Sequence, residues 1–459
     1  MPRGWLLDAT SSPGGDSVIL WLKEEGGAVR RAAVPYAPPF YVTGPADRLE
    51  DLIRELADDP RVGAVRCEPI RASLFDPPDR RHPALAVVPL PHSARRALAT
   101  RVDALGGYVA FTLYDVDLSA PQLFLIERGL YPFAPVLFSG GEVAAMEPPD
   151  TVEYAAPPLT SSELTVEVAG ARAGRPPHPD DPIARVRLGP VVLEGSGEAD
   201  TLEALLRELR RQDPDLLATH GGDAFDLPHL YRRALVHGYS EATFVLGREW
   251  TPFALGRRAT TFESYGRILH RVPPHLLSGR FHLDVGRGFV EDVGLAGFID
   301  MARISRLGLQ TVARQSPGTA FSASELAVAR EDGVCIPWKK NLPEEDKTAL
   351  GLVAADKGGF ILTPRVGLEQ GIDEFDFASL FPSIMVRHNL SMETLECPCC
   401  PESPHVAPGL GYRSCTLRTG IVPRTIAPMV ARRLYFKRRA RETTGAERER
   451  YVDLARAWK

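Results

Sequence analysis

The 459-residue sequence predicts a multidomain protein of mixed α/β and α+β class. Three observations carry that expectation. Residues 1–155 read as a β-rich unit, with short strands punctuated by Pro-Gly and Pro-Pro steps. Residues 156–310 alternate strand-like and helix-like segments, the pattern of an α/β unit. From residue 425 onward two basic helical segments are separated by Thr443-Thr444-Gly445, which predicts an antiparallel hairpin. Residues 311–424 connect the two.

In chain order, Val18-Ile19-Leu20-Trp21-Leu22 and Phe40-Tyr41-Val42 are strand-like, and Arg48 to Leu56 has helical spacing. Val87-Val88-Pro89-Leu90-Pro91 reads as an edge strand or connector. The break Ala155-Ala156-Pro157-Pro158 precedes a strand, Leu164-Thr165-Val166-Glu167-Val168. A Gly/Pro-rich loop to Pro182 and a second strand, Ile183 to Leu188, follow. Apolar residues at 202, 205, 206 and 209 predict a helix to Arg211, and Leu216-Leu217-Ala218-Thr219-His220 a buried strand. Helical segments are expected from Gly294 to Leu309 and from Ser322 to Arg330.

The formal net charge of −5 argues against a uniformly basic coat for nucleic acid. It leaves room for a local basic channel, because phosphate binding depends on where the cations sit. Arg432, Arg433, Lys437, Arg438, Arg439, Arg441, Arg448, Arg450, Arg456 and Lys459 concentrate them late. No apolar run is long enough to span a bilayer, so no membrane partner is expected. The opening Met1-Pro2-Arg3-Gly4-Trp5 lacks a secretory pattern. A cytoplasmic location is the expectation, and six cysteines over this length do not make a disulfide scaffold.

The stretch Glu374-Phe375-Asp376-Phe377 alternates acidic and apolar residues, as in a short two-faced strand, and Pro382 suits the first turn of a helix. Such a junction delivers the Asp376 carboxylate, a hard ligand for Mg²⁺, beside a helix N-terminus whose free amides attract phosphate oxygens. The chemistry that pattern favours is binding of a metal-bound triphosphate.

Asp376-Phe377-Ala378-Ser379-Leu380-Phe381-Pro382-Ser383-Ile384 closely resembles the first palm motif of family B DNA polymerases, Asp-x-x-Ser-Leu-Tyr-Pro-Ser-Ile. Phe381 replaces the usual Tyr, keeping the ring that sieves against a ribose 2′-OH. The resemblance implies that Asp376, with the Phe377 carbonyl, binds Mg²⁺ in a two-metal site, and that Ser379, Leu380 and Phe381 line the triphosphate turn and sugar gate. Thr425 to Lys437 resembles the first fingers helix. There Arg433 and Lys437, four residues apart on one face, would neutralise triphosphate oxygens. Lys459 falls where the family places a Lys on the returning helix. Asp356-Lys357-Gly358-Gly359-Phe360-Ile361 resembles the Tyr-x-Gly-Gly segment between exonuclease and palm, without its Tyr.

Gly221 to Leu230, with Asp226 in a Phe-Asp-Leu-Pro setting, resembles the second motif of the ribonuclease H-like proofreading exonuclease. The first motif, Asp-Ile-Glu, is met by Glu167-Val168-Ala169, and the third, Tyr-x-x-x-Asp, by Phe289-Val290-Glu291-Asp292-Val293. Two of about four metal-holding carboxylates are therefore missing. The expectation is an exonuclease remnant, Glu167 and Asp226, in an inactive domain, unless Asp284 or Asp292 substitutes. Cys397, Cys399, Cys400 and Cys415 could bind Zn²⁺ tetrahedrally or remain free thiols. Relatives from hot environments carry a disulfide in this loop, so Cys400–Cys415 pairing is a third reading.

The family resemblance divides the chain into an N-terminal polymerase domain (1–155), the exonuclease-like domain (156–310), connector and partial palm (311–424) and partial fingers (425–459). It implies a DNA-directed DNA polymerase of replication or repair that binds DNA primer-template and dNTP. No Asp-Thr-Asp motif follows Asp376. The chain is therefore expected to be incomplete, to lack the thumb and not to extend a primer alone. It would be either one subunit of a split polymerase completed by a second polypeptide or a truncated, interrupted or degenerate gene product. The rival expectation is a catalytically inactive DNA-binding or scaffold relative.

Overall fold

The computed structural model describes residues 2–139, 141–169, 177–264, 267–285, 288–339, 347–355, 358, 362–363, 365–377 and 379–459, without the side chains of 262, 264, 267, 269 and 288–292. It is a mixed α/β multidomain fold. The first part contains strands β1 (Arg3–Ser11), β2 (Ser17–Glu24), β3 (Val29–Pro35) and β4 (Phe40–Thr43), then helix α1 (Ala46–Leu56). Strands β5 (Val62–Cys67) and β6 (Leu85–Pro89), helix α2 (Arg95–Leu105), strand β7 (Thr112–Tyr114), helix α3 (Ala120–Glu127) and strands β8 (Ala134–Ser139) and β9 (Glu142–Ala145) follow. They form two sheets, ordered β3-β2-β1-β8-β9 and β5-β6-β4-β7. Residues 87–91, expected as an edge strand or connector, instead contribute the end of β6, an interior strand paired with both β4 and β5. Leu49, Leu52 and Leu56 put the apolar face of α1 into the core, as helical spacing requires. Ser119 starts α3 by accepting the Gln122 amide at 3.3 Å, with Pro121 in the first turn.

The middle of the chain builds a mixed sheet from β10 (Ser161–Val168), β11 (Ile183–Leu188), β12 (Val191–Leu193), helix α4 (Glu198–Gln212), β13 (Leu216–Thr219) and helix α5 (Leu227–Val236). A separate hairpin, β14 (Thr260–Ser264) and β15 (Arg267–Arg271), precedes β16 (Phe281–Asp284), which completes the order β12-β11-β10-β13-β16. Pairs β10–β13 and β13–β16 are parallel, and both β13 and β16 are buried almost throughout, including His282 and Asp284 of β16. Leu202, Leu205, Leu206 and Leu209 are the buried stripe of α4, as their spacing predicts.

Helices α6 (Gly288–Ser305), α7 (Leu309–Val312), α8 (Pro317–Glu331) and α9 (Ala349–Ala355) lead to α10 (Leu380–Arg387), α11 (Ile421–Glu442) and α12 (Gly445–Ala457). One core joins all three regions: Leu7, Ile19 and Trp21 of the first sheet meet Leu216, Phe281 and Leu283 of the second, with Phe298 of α6 and Ala457 of α12. The hairpin α11–α12 closes on Phe436, Tyr451 and Leu454. Gly445 turns it with φ +59°, a conformation a side chain would resist.

One expected element does not form. Glu374 to Phe377 is exposed, irregular backbone that joins no strand among the described residues. Its alternation supplies two faces but no ladder partner, and an unpaired strand is not stable alone.

Candidate functional site

The site grows from the contact between α10 and α11. Ser379, the residue before α10, has φ +51° and gives no side-chain cap to its own helix. Its Oγ instead accepts a hydrogen bond from Arg433 Nη1 at 2.7 Å. The four-residue spacing continues along α11 through Lys437 to Arg441. These three, with Arg456 and Lys459 at the end of α12, line a cleft of about 330 Å³. Arg433, Lys437 and Lys459 therefore share one cavity, with Arg441 and Arg456 as two further cations that the sequence counted among the late basic residues without a role at the site. Lys437, Arg441 and Lys459 make no ion pair among the described residues. Unpaired cations around a concave surface draw a polyanion.

Asp376 and Phe377 are exposed on the approach to α10, while Ala378 lies outside the described residues. Leu380 and Phe381 begin α10, Phe381 being 72% exposed, and Pro382 sits in the first helical turn. Asp376 belongs to no group of three or more potential metal ligands among the described residues. The residues present thus offer a first carboxylate for a divalent ion rather than a cage. Of the glycine-rich segment, residues 356–357 and 359–361 lie outside the described residues.

Next to Arg433, Arg432 faces the other way. It is buried, donates to Asp300 of α6 (Nε to Oδ2, 3.0 Å) and reaches the carbonyls of Asp150 and Thr151. Trp458 Nε1 donates to the same Asp300 oxygen at 2.6 Å. One turn of α11 therefore anchors the hairpin with one arginine and points the next at the Ser379 loop.

On the second sheet, Glu167 is half-exposed and lies 3.2 Å from Arg185 Nε and 3.9 Å from Arg187 Nη2. Asp226 is buried, and burial pushes its carboxyl up to about 6 against the Val166 amide, with the charge of Asp284 adding to the rise. Asp284 accepts the Gly221 and Asp223 amides at 2.7 and 3.2 Å. His282 bridges Thr219 Oγ1 and the His275 carbonyl, both at 2.8 Å, and burial pushes it down to about 4, so it is a core histidine. The side chain of Asp292 lies outside the described residues.

Cys397, Cys399, Cys400 and Cys415 present four sulfurs within 4.8 Å of one another. Of the three readings for these cysteines, the Cys400–Cys415 disulfide is not the one formed: these sulfurs are 3.5 Å apart and all four cysteines are free. Two loop segments bring them together through the bridge Leu395↔Ser414, so four thiols share a space in which a disulfide would use two.

Comparison with known proteins bears on this arrangement. The family described as DNA polymerase family B matches residues 323–456, the span holding α10, the cysteines, α11 and most of α12. The chain is a relative of the family B DNA polymerases. It is 28% identical over 309 residues to DNA polymerase 1 of Pyrococcus abyssi, covering 58% of this chain and 39% of that protein. It is 26% identical over 399 residues to a DNA polymerase of Pyrococcus glycovorans, covering 74% of this chain and 48% of that protein. The chain thus spans less than half the length of these relatives. The family B DNA polymerase structure from Pyrobaculum calidifontis superposes with a TM-score of 0.68 at 21% identity, covering 99% of this chain and 66% of that one, a likeness of fold. Among the described residues no helix is long and apolar enough to cross a membrane.

Proposed function

We propose that this chain forms the incoming-nucleotide face of a family B DNA polymerase, which joins dNTPs to a primer 3′-OH on a DNA template. The observation that carries the reading is the union of two motifs 54 residues apart: Ser379 in the Asp376 stretch is hydrogen-bonded to Arg433. From Arg433 a row of cations runs through Lys437 to Lys459 in one cleft. Arg offers a planar fork and Lys a point charge, the combination that suits a triphosphate. Phe381 would bring its ring to the sugar.

Asp376 and the Phe377 carbonyl are our choice of Mg²⁺ ligands. Bound divalent ions would polarise phosphate oxygens and align the attacking hydroxyl. A second carboxylate motif must come from polypeptide other than these residues, whether a continuation or a second chain. The 91% exposed Phe375 and 72% exposed Phe381 favour that view, because so much apolar surface around the motif suits burial against further polypeptide. We assign the N-terminal polymerase unit to residues 1–155, the exonuclease-like unit to 156–310, the partial palm to 311–424 and the partial fingers to 425–459.

We propose that the exonuclease-like unit is inactive. Glu167 faces two guanidinium groups, and Asp226 stands in no described trio of acids. The same observation supports a second reading, a catalytically silent DNA-binding relative. Primer extension separates them: this chain is mixed with a polypeptide carrying an Asp-x-Asp hairpin, with Asp376→Ala as control. Incorporation lost in Asp376→Ala is the expected result. Equal incorporation by the variant overturns the assignment of Asp376, and salt-sensitive DNA binding without incorporation favours the second reading.

A further inference from the structure

We propose that Cys397, Cys399, Cys400 and Cys415 bind one Zn²⁺ as a tetrahedral tetrathiolate, and that this ion fixes the connection between α10 and α11. The sulfur separations are 3.3 Å for Cys397–Cys399, 3.6 Å for Cys399–Cys415, 3.8 Å for Cys399–Cys400 and 3.5 Å for Cys400–Cys415. With Zn–S bonds of about 2.3 Å, the edge of a regular tetrahedron is about 3.8 Å. The thiols are thus spaced for a single small ion. Thr416 Oγ1 donates to Cys400 Sγ at 3.6 Å, the outer-shell support a thiolate ligand takes.

The segment from residue 388 to 420 needs such a centre. It holds no named helix or strand, only the bridges Leu395↔Ser414 and Val406↔Arg413. None of its residues belongs to a described hydrophobic cluster. A long irregular loop without an apolar core is held by a staple of another kind. Cys397 and Cys415 are nevertheless buried, at 6% and 1% exposure, and so sit where a core would.

The loop in turn holds the start of α11. Asn389, just past α10, donates to the carbonyls of Cys415 and Arg418, each at 2.8 Å, and accepts the Gly420 amide at 2.8 Å. Glu393 Oε1 accepts the Ile421 amide at 2.6 Å and Ser391 Oγ the Val422 amide at 3.3 Å. Thr394 O accepts the Cys415 amide at 2.8 Å, tying that capping segment directly to a ligand. The ion therefore lies one hydrogen bond from the segment that sets where α11, and with it Arg433, begins. Its consequence for triphosphate binding rests on the proposed function; its existence does not.

The test is metal analysis of the chain purified anaerobically without added metal. Elemental analysis is expected to give one zinc per chain, and Co²⁺ exchange the intense visible bands of a tetrahedral thiolate site. Cys415→Ser is expected to lose the metal and Cys67→Ser, an exposed thiol elsewhere, to keep it. Should Cys415→Ser fail to fold, the wild-type metal count and cobalt spectrum decide alone. Less than a tenth of an equivalent of zinc, a stoichiometric red iron centre, or a mapped Cys400–Cys415 disulfide overturns the proposal. Zinc present in a chain that binds no triphosphate would instead sink the polymerase reading and leave this one standing.

Discussion

Arg433 Nη1 donates to Ser379 Oγ across 2.7 Å, joining the positive-φ residue ahead of α10 to the middle of α11. A guanidinium held there keeps further N–H donors for an anion in the adjoining cleft. Hydrogen bonds from a charged group are worth roughly 1.5–3 kcal/mol, so Arg433→Ala is expected to weaken dNTP binding about 10- to 100-fold. Arg438→Ala is the control, because Arg438 faces Glu442 away from the cleft. Calorimetric titration with dNTP checks both. Equal affinities for wild type and Arg433→Ala would remove the cleft from the nucleotide path.

The buried Asp300 is shared by Arg432 and Trp458, so one carboxylate ties α6 to both arms of the hairpin. Removing a single partner leaves the Arg432 guanidinium uncompensated at 1% exposure. Breaking buried pairs in this way costs about 3–5 kcal/mol. Asp300→Ala is therefore expected to lower the urea midpoint strongly and to weaken dNTP binding by loosening α11. Thermal and urea unfolding of Asp300→Ala beside wild type measure it, and a loss below about 1 kcal/mol contradicts the account.

That lock marks the limit of what sequence alone conveyed. Arg433, Lys437 and Lys459 were legible because a four-residue spacing and an antiparallel return are local patterns. Arg441 extends the same spacing and could have been read the same way. Arg432 was invisible as an anchor, since its partner lies 132 residues away and nothing local distinguishes it from Arg433. Glu374 to Phe377 misled for a related reason: alternation is local, but a strand exists only with a neighbour. The cysteines remained ambiguous until the fold brought Cys415 back to Cys397, because spacing fixes which thiols are near in sequence and not which meet.

Asp8 supplies a pH dependence. Burial pushes its carboxyl up to about 7, against the hydrogen bond from the Ala9 amide. A raised acid binds its proton more tightly in the folded state than in the unfolded one. Stability from this group is thus present below about pH 4 and is lost as pH rises toward 7. The ceiling is about 4 kcal/mol, at roughly 1.4 kcal/mol per pH unit. Asp8→Asn removes the titration while keeping an oxygen acceptor. It is expected to be more stable than wild type at pH 8 and to lose that advantage by pH 4. Parallel melting curves across that range check it, and a difference that does not change with pH overturns it.

Gly297 sits where α6 meets α12. A methyl group there would lie 2.6 Å from Val293 Cγ1, 2.9 Å from the Asp453 carbonyl and 3.0 Å from Ala457 Cβ. Helix propensity alone makes Gly→Ala favourable by about 1 kcal/mol. The backbone carbonyl cannot swing aside as a side-chain tip could, so crowding should outweigh propensity. Overpacking of this kind typically costs about 1–3 kcal/mol. Gly297→Ala is therefore expected to lower the melting temperature and to make the α11–α12 hairpin exchange its amide hydrogens faster than wild type. A stabilised variant with unchanged exchange would mean that α12 can move off α6 freely, and that the Asp300 anchor alone sets the position of Arg433.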